Sequence, residues 1–443
     1  MSEGRRFALV SVMLAGLLLA ASGCTGERTE VPETPAKSDA AATPSVTPAT
    51  PSARRLWGRK ITDPWPLPSG TVTLVGAYSF DLVGDALVVV GTRKTEDDNA
   101  SQQIVVTDAR TGVVRWSLYG GDPLGSDGDA FHRLTPGAVV DRDGDWKLLV
   151  EYVRPGADRR TGSYTETGIM ALSGRDGRVV WRAPVDRVSR RGARVRLLLD
   201  TVVGDRVVLV TSTYAEGDDA FEVAAFSPAT GAPMWTLPGT VARFVTGDVV
   251  LVERPILPVT DPLKRRMRTT VAGVRLDDGS VLWDAAGRYA QASHLQATDG
   301  AVVVDVEPGS VVLDASTGRE LTATPQDLKR CFTDNAGPVA CTVVTSTGPV
   351  QKHLAIVERS GAAVDITSVP NSGNWVLQST WKGRLICASD LGGPPAVLDR
   401  SGNTLDLGVK GRIYALDDDL VVFSPTGVGE DQQGEFAVHA VAS

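Results

Sequence analysis

The chain has 443 residues, 42% of them hydrophobic and 22% charged, with 46 glycines, 26 prolines, four cysteines and four histidines. A formal charge of −8 argues against a nucleic-acid-binding surface, which needs a net basic stripe, and the scattered His132, His294, His353 and His439 leave little for a histidine-rich metal centre. Valine, threonine and glycine are plentiful and no long stretch sustains a 3.6-residue apolar period, so the expectation is an all-β protein with many turns.

The N-terminus reads Met-Ser-Glu-Gly-Arg-Arg and runs into an apolar stretch, Phe7 to Ala21. A basic start and an apolar segment of this length fit a secretory signal and fall short of a comfortable membrane span. The stretch closes on Ala21-Ser22-Gly23-Cys24, which resembles the lipobox of bacterial lipoproteins. The resemblance implies that Cys24 becomes the first mature residue and carries a diacylglycerol thioether and an N-acyl chain. Several acyl chains on one terminus anchor stably where a single chain would not. From Thr25 to about Ser52 the chain is rich in Thr, Pro, Ala, Ser and Glu, cannot bury a core, and is expected to be an extended tether. The expected organisation is a signal peptide over 1–23, a lipidated cysteine with its tether over 24–53, and a folded domain over 54–443. Its place is the extracytoplasmic face of the cell membrane.

Across the expected folded domain a single kind of turn recurs, with a Trp four residues past its Gly. The fullest copy is Asp108-Ala-Arg-Thr-Gly112-Val-Val-Arg-Trp116. Further copies pair Gly177 with Trp181, Gly231 with Trp235 and Gly279 with Trp283. Weaker copies at Gly318, Gly361 and Gly402 carry Thr322, Asp365 and Asp406 where the Trp stood. A second series, out of phase with the first, leads from a turn into an apolar strand. It starts at Gly84, Gly144, Gly204, Gly247, Gly300, Gly337, Gly383 and Asp418. Eight first hairpins stand against seven second hairpins. The missing strand is expected at the other end of the chain, where Arg55-Leu56-Trp57 reads like the Trp ends of the other units. These counts give an eight-bladed β-propeller closed by the N-terminal strand pairing in the last blade, with seven blades as the alternative. The glycines are expected to supply the positive φ of tight hairpins, and the tryptophans to pack between neighbouring blades.

These turns resemble the PQQ-like propeller repeats of quinoprotein dehydrogenases and of the barrel-assembly lipoprotein of Gram-negative outer membranes, whose blades carry an Asp-x-x-x-Gly-x-x-x-Trp docking turn. Asp108, Gly112 and Trp116 match it in full; the copies at Gly177, Gly231 and Gly279 match without the Asp. The resemblance spans roughly residues 54 to 443 and speaks for the fold more than for the function.

A quinone-dependent dehydrogenase of this family would need a catalytic Asp, Ca²⁺ ligands and a vicinal cysteine pair over the cofactor. The sequence holds no adjacent cysteines. Asp141-Arg-Asp143-Gly144-Asp145 departs from EF-hand spacing and coincides with a repeated hairpin, so it reads as a plain turn. Cys331 and Cys341 flank a hairpin centred on Ala336 and are expected to face each other as a disulfide, which an exported protein can form. Cys387 reads as a small buried residue. Two arginine-rich stretches, Arg187 to Arg196 and Lys264 to Arg268, and the polar insertion Arg154 to Thr167 read as solvated loops. No P-loop, dinucleotide fingerprint or hydrolase elbow is present. The expected function is a non-catalytic protein-binding scaffold, without cofactor or metal, held to the membrane by its lipid and bound to an envelope protein. The alternatives are a small-molecule or glycan receptor at the channel mouth and, behind it, the quinone enzyme.

Overall fold

In the computed structural model every described regular element is a β-strand. The structure describes residues 53–441 apart from the segments 61–64, 95–99, 120–122, 125–128, 141–145, 156–163, 188–196, 204–205, 214–220, 256–268, 334–337, 346–350, 390–395, 406–411, 425–434 and a few shorter links. Among the described residues the strands form seven four-stranded sheets, one five-stranded sheet and a two-stranded hairpin.

Sheet 1 consists of Gly76–Val83, Ala86–Lys94, Ala100–Asp108 and Val114–Tyr119. Sheet 2 holds Asp129–Val140, Trp146–Pro155, Tyr164–Ser173 and Val179–Arg187, with the short Pro123–Leu124 outside its first strand. Sheet 3 is Leu197–Val203, Val208–Thr213, Glu222–Phe226 and Pro233–Pro238. Sheet 4 is Val241–Thr246, Val249–Pro255, Thr269–Arg275 and Val281–Asp284. Sheet 5 is Ala292–Thr298, Ala301–Val306, Ser310–Asp314 and Glu320–Thr324. Sheet 6 is Asp327–Phe332, Val339–Thr345, Gln351–Ser360 and Ala363–Ser368. Sheet 7 is Trp375–Trp381, Arg384–Ser389, Ala396–Leu398 and Thr404–Leu405. Each follows chain order. Sheet 8 does not: Arg412–Leu416, Leu420–Ser424 and Glu435–Val441 are joined at the fourth position by the N-terminal strand Ala53–Lys60, with Trp57 opposite Val438.

The second strands are continuous apolar runs because each sheet is covered on both faces. In sheet 1, Leu87 and Val89 join Phe80 in packing against Leu420, Val422, Phe436 and Val438 of sheet 8. Their neighbours Val88 and Val90 face the other way, onto Trp146, Leu148 and Val150 of sheet 2. The same division recurs between sheets 2 and 3, 3 and 4, 4 and 5, 5 and 6, and 6 and 7. A period-2 strand with both faces in core cannot alternate polar and apolar, so the hydrophobic run is a direct consequence of the stacking. Between sheets 8 and 1 the hairpin Trp65–Leu67 and Gly70–Val72 adds Trp65, fully buried and stacked on Phe436 with ring centroids 5.9 Å apart.

The recurrent turn is the joint between sheets. Trp116 of sheet 1 donates its indole N–H to the Gly174 carbonyl of sheet 2 at 3.0 Å, and Trp181 of sheet 2 donates to Pro228 of sheet 3 at 2.9 Å. Trp235 reaches Leu276 of sheet 4 at 2.7 Å, and Trp283 reaches Ala315 of sheet 5 at 2.6 Å. Trp57, in the N-terminal strand, repeats the contact onto Ala109 of sheet 1 at 2.8 Å. Each indole lies against the turn glycine of the next sheet: a Cβ on Gly112 would stand 2.8 Å from the Trp57 ring. The turns are wider than two-residue hairpins. The Gly112 N–H donates to the Asp108 carbonyl and the Asp108 N–H to that of Val113, with Gly112 at φ +71° closing the loop. The residue before each docking Trp (Leu56, Arg115, Val180, Met234 or Leu282) is an extra residue without a cross-strand partner. Such a bulge re-aims the side chain that follows it.

The bulge does not depend on the indole: Leu321, before Thr322, is likewise without a cross-strand partner, whereas the register from Ala355–Ser368 to Ser360–Ala363 is unbroken. The polar insertion expected over Arg154 to Thr167 is shorter than the sequence suggested. Arg154 pairs with Glu166 and Val153 with Thr167, and the buried Glu166 accepts a 2.8 Å bond from the Tyr152 hydroxyl, so both strands extend into it.

Gly112 and Gly247 share a left-handed backbone, but only Gly112 has an indole against it; nothing stands within 4 Å of a Cβ on Gly247. Gly247→Ala should therefore cost about 1–2 kcal/mol of strain, and Gly112→Ala about 3 kcal/mol as steric displacement of Trp57 is added. Urea-unfolding midpoints of the two variants measure the difference; equal losses would remove the docking contact from the account.

Candidate functional site

The meander gives every sheet two unlike ends. First-to-second and third-to-fourth strand turns lie at one end; second-to-third links and passages between sheets lie at the other. The turn end is closed by its own chemistry. Besides the indole contacts, Arg115 pairs with Asp85 at 2.7 Å and Asp108 at 2.9 Å, and Arg206 with Asp248 and Asp277 at 2.5 Å each. Arg110 pairs with Asp419, and Arg400 with Glu358 at 2.5 Å. Exposed pairs of this kind add about 0–1 kcal/mol each.

The Arg359 pair is the better sheltered one. The guanidinium holds Asp314 of the preceding sheet at 2.8 Å and donates to the Gly300 carbonyl. Asp314 also accepts bonds from the backbone and hydroxyls of Ser316 and Thr317. Burial pushes this carboxyl upward, but the bonds from Ser316, Thr317 and Arg359 outweigh it and hold it far below the ordinary carboxylate range.

Within the body of the sheets, the first strand of each of the eight carries at least one residue that its second strand does not match. The unmatched positions are Tyr78, Leu199, Arg243, Leu295, Gln378 and Tyr414 in sheets 1, 3, 4, 5, 7 and 8. In sheet 6 Arg330 and Cys331 together oppose Cys341, and sheet 2 has shifts between Leu148 and Val150 and between Glu151 and Tyr152. First strands of successive sheets touch from sheet 2 through to sheet 7, and that of sheet 8 meets that of sheet 1. The bulges therefore recur along the contacting first strands.

Polar side chains otherwise out of place in the core serve these bulges. The Ala242 N–H, beside the extra residue of sheet 4, donates to the buried Thr211 hydroxyl of sheet 3 at 3.1 Å. The Leu377 N–H of sheet 7, beside the extra Gln378, donates likewise to Thr342 of sheet 6 at 3.4 Å. A bulge frees a backbone donor, and a buried donor needs an acceptor. At the same level the buried Glu253 accepts two bonds from Arg243, the shorter at 2.7 Å, and Asp305 pairs with Lys329 at 2.7 Å. These groups were not singled out in the sequence. Their signal was a lone polar residue closing a valine run, as in Val249-Val-Leu-Val-Glu253 and Ala301-Val-Val-Val-Asp305.

Of the expected site residues, Cys331 and Cys341 are joined by a disulfide across the sheet 6 bulge, with Cα atoms 4.0 Å apart. Closing ten residues of chain contributes about 2–3 kcal/mol in the loop-entropy account. Cys387 is fully buried with its thiol pushed up to about 12 by burial. Trp57, Asp108, Gly112, Trp116, Gly177, Trp181, Gly231, Trp235, Gly279 and Trp283 all sit in the docking joints. Cys24, the Asp141–Asp145 turn and the arginine-rich stretches beyond Arg187 lie outside the described residues. The sequence has no adjacent cysteines, and among the described residues no group of three or more His, Cys, Asp or Glu could hold a metal ion.

Residues 146–335 match the family model described as outer membrane protein assembly factor BamB, and in that stretch the chain is similar to PQQ-like propeller repeats. No curated protein matches the chain. Among solved structures, BamB from Moraxella catarrhalis is 17% identical, covering 88% of this chain and 99% of its own, with a TM-score of 0.36. The quinohemoprotein alcohol dehydrogenase ADHIIG from Pseudomonas putida HK5 is 12% identical over 89% of this chain and 76% of its own, with a TM-score of 0.43. The β-propeller domain of the Trilobed protease from Pyrococcus furiosus is 10% identical over 76% and 97%, with a TM-score of 0.42.

The Asp314 cluster has a pH signature. The folded carboxyl lies below its unfolded value of 3.8, so its contribution is full well above that value, declines as the pH drops below it and is lost only as the pH passes the lower folded value. Asp314→Asn should lower stability by about 1–3 kcal/mol at pH 7, and the gap to the native protein should narrow between pH 5 and pH 2. Urea titrations at both ends of that range test it; a gap independent of pH would contradict the assignment.

Proposed function

We propose, from the match of residues 146–335 to the BamB family model, that the protein is a membrane-anchored extracytoplasmic lipoprotein whose propeller is a non-catalytic scaffold for an envelope protein. The eight sheets are its blades, and the ring closes where the N-terminal strand completes sheet 8. Residues 1–23 are the signal peptide, Cys24 carries the lipid, residues 24–53 are the tether and residues 54–443 the propeller. The family model's description, an outer membrane protein assembly factor, supports a partner in an envelope assembly.

One observation carries the reading. The described turns at the turn end carry the indole docking contacts and ion pairs that bridge neighbouring blades, whereas the connection end bears the longer links between strands. A frame locked at one end and elaborated at the other presents loops on a rigid support, which is where recognition resides. The partner docks on the connection end.

Photoreactive residues introduced in the cell at Thr324 or Ser368, on that end, should capture a specific membrane protein, while the same residues at Thr111 or Asp278, on the turn end, should not. Equal capture from both ends would refute the assignment of the face. The anchor has its own measurement: Cys24→Ser should move the protein from the membrane fraction to the soluble one, and unchanged fractionation would refute lipidation.

A further inference from the structure

Sheet 6 departs from the other bulges in a way that concentrates on one side chain. Arg330 has φ +48°, and among the described residues it is the only non-glycine with a positive φ. A left-handed backbone under a long side chain is unfavourable unless its surroundings enforce it. Here the register supplies the enforcement. Lys329 pairs with Thr342 and Phe332 with Ala340, so Arg330 and Cys331 share the single opposite residue Cys341. The disulfide then decides which of the two turns inward. Cys331 is bonded to Cys341 and buried, which leaves Arg330 exposed.

Its electrostatic setting also differs from that of the residue before it: Lys329 is paired with Asp305 of sheet 5 at 2.7 Å. Arg330 has no carboxylate within ion-pair distance among the described residues. The first strand of sheet 7, which contacts that of sheet 6, places the exposed Gln378 at its own bulge. A guanidinium and a carboxamide at corresponding positions of contacting strands offer the donor set that a carboxylate accepts.

We propose that Arg330 is the carboxylate-receiving residue of the binding site, with Cys331–Cys341 as the staple that positions it, and that the carboxylate belongs to an acidic segment of the partner polypeptide. This deepens the scaffold reading and rests on it for the source of the carboxylate. A planar guanidinium engages a carboxylate through two parallel bonds, so charge alone is not equivalent to it. A staple beside the residue, in place of a flexible hairpin, reduces the ordering cost of binding.

The test uses the full-length protein, in the cell and purified in detergent. Arg330→Gly is the informative variant, because glycine accepts the left-handed backbone and removes only the side chain. It should unfold at or above the native temperature yet recover at least tenfold less crosslinked partner. Arg330→Lys should recover an intermediate amount, and Arg178→Gln, an exposed arginine on the turn end, the native amount. Cys331→Ala with Cys341→Ala should lose several-fold in recovery while still unfolding cooperatively. Full recovery by Arg330→Gly overturns the proposal. Should the native protein itself recover no partner, the scaffold reading fails, and titration with a ten-residue oligoglutamate decides the site separately. Binding by the native protein and not by Arg330→Gly upholds it, and equal or absent binding in both overturns it. Citrate and inorganic phosphate serve as parallel probes; if either binds through Arg330 more tightly than oligoglutamate, the polypeptide source is overturned in favour of a small anion.

Discussion

An indole laid flat on a glycine of the next sheet, with its N–H on a carbonyl of the same turn, is the contact on which the architecture depends. It requires three local features at once. A glycine must hold a left-handed backbone without a Cβ, a bulge must precede the tryptophan to aim it across the gap, and a turn wide enough to offer a free carbonyl must wait on the far side. Trp116, Trp181, Trp235 and Trp283 link sheets 1 to 5 in this way, and Trp57 links the N-terminal strand to sheet 1. The glycine, the spacing to the tryptophan and the residue between are therefore a single device, repeated.

The second half of the chain keeps the sheets together by other means. Thr322 and Asp365 stand where indoles stood, and Arg359 and Arg400 reach back to Asp314 and Glu358 of the preceding sheets. An arginine can bridge the same gap with directed bonds, but it shields less apolar surface than an indole. Packing of Leu328, Val343, Leu377 and Leu385 against their neighbours supplies the apolar contact there. The repeat thus keeps its geometry within one chain while its chemistry changes along it.

Bulges are the common thread between frame and site. In the fourth strands they aim tryptophans outward to the next sheet. In the first strands they stand beside backbone donors whose bonds buried Thr211 and Thr342 accept, and they turn Arg243, Arg330 and Gln378 away from ordinary pairing. An all-apolar core would have had no use for those hydroxyls or for Glu253. Their burial is accounted for by the irregular strands beside them.

Residue type and spacing along the chain were enough for the all-β class, the number and phase of the turns, the continuous apolar second strands and the likeness of Trp57 to the other tryptophans. They also located the Cys331–Cys341 pair, since a hairpin centred between two cysteines brings them together by local geometry. The direction of each indole toward the following sheet, the arginine bridges, the first-strand bulges and the exposure of Arg330 emerged only from the assembled fold. They depend on which strand lies opposite and by how many residues the register slips, and a single inserted residue changes the face of everything after it. Charge and histidine content, read first, argued against nucleic acid and a histidine-rich centre; the exposed guanidinium of Arg330 beside the ion-paired Lys329 became visible only in the assembled fold, because an ion pair is set by distance in space and not by distance along the chain.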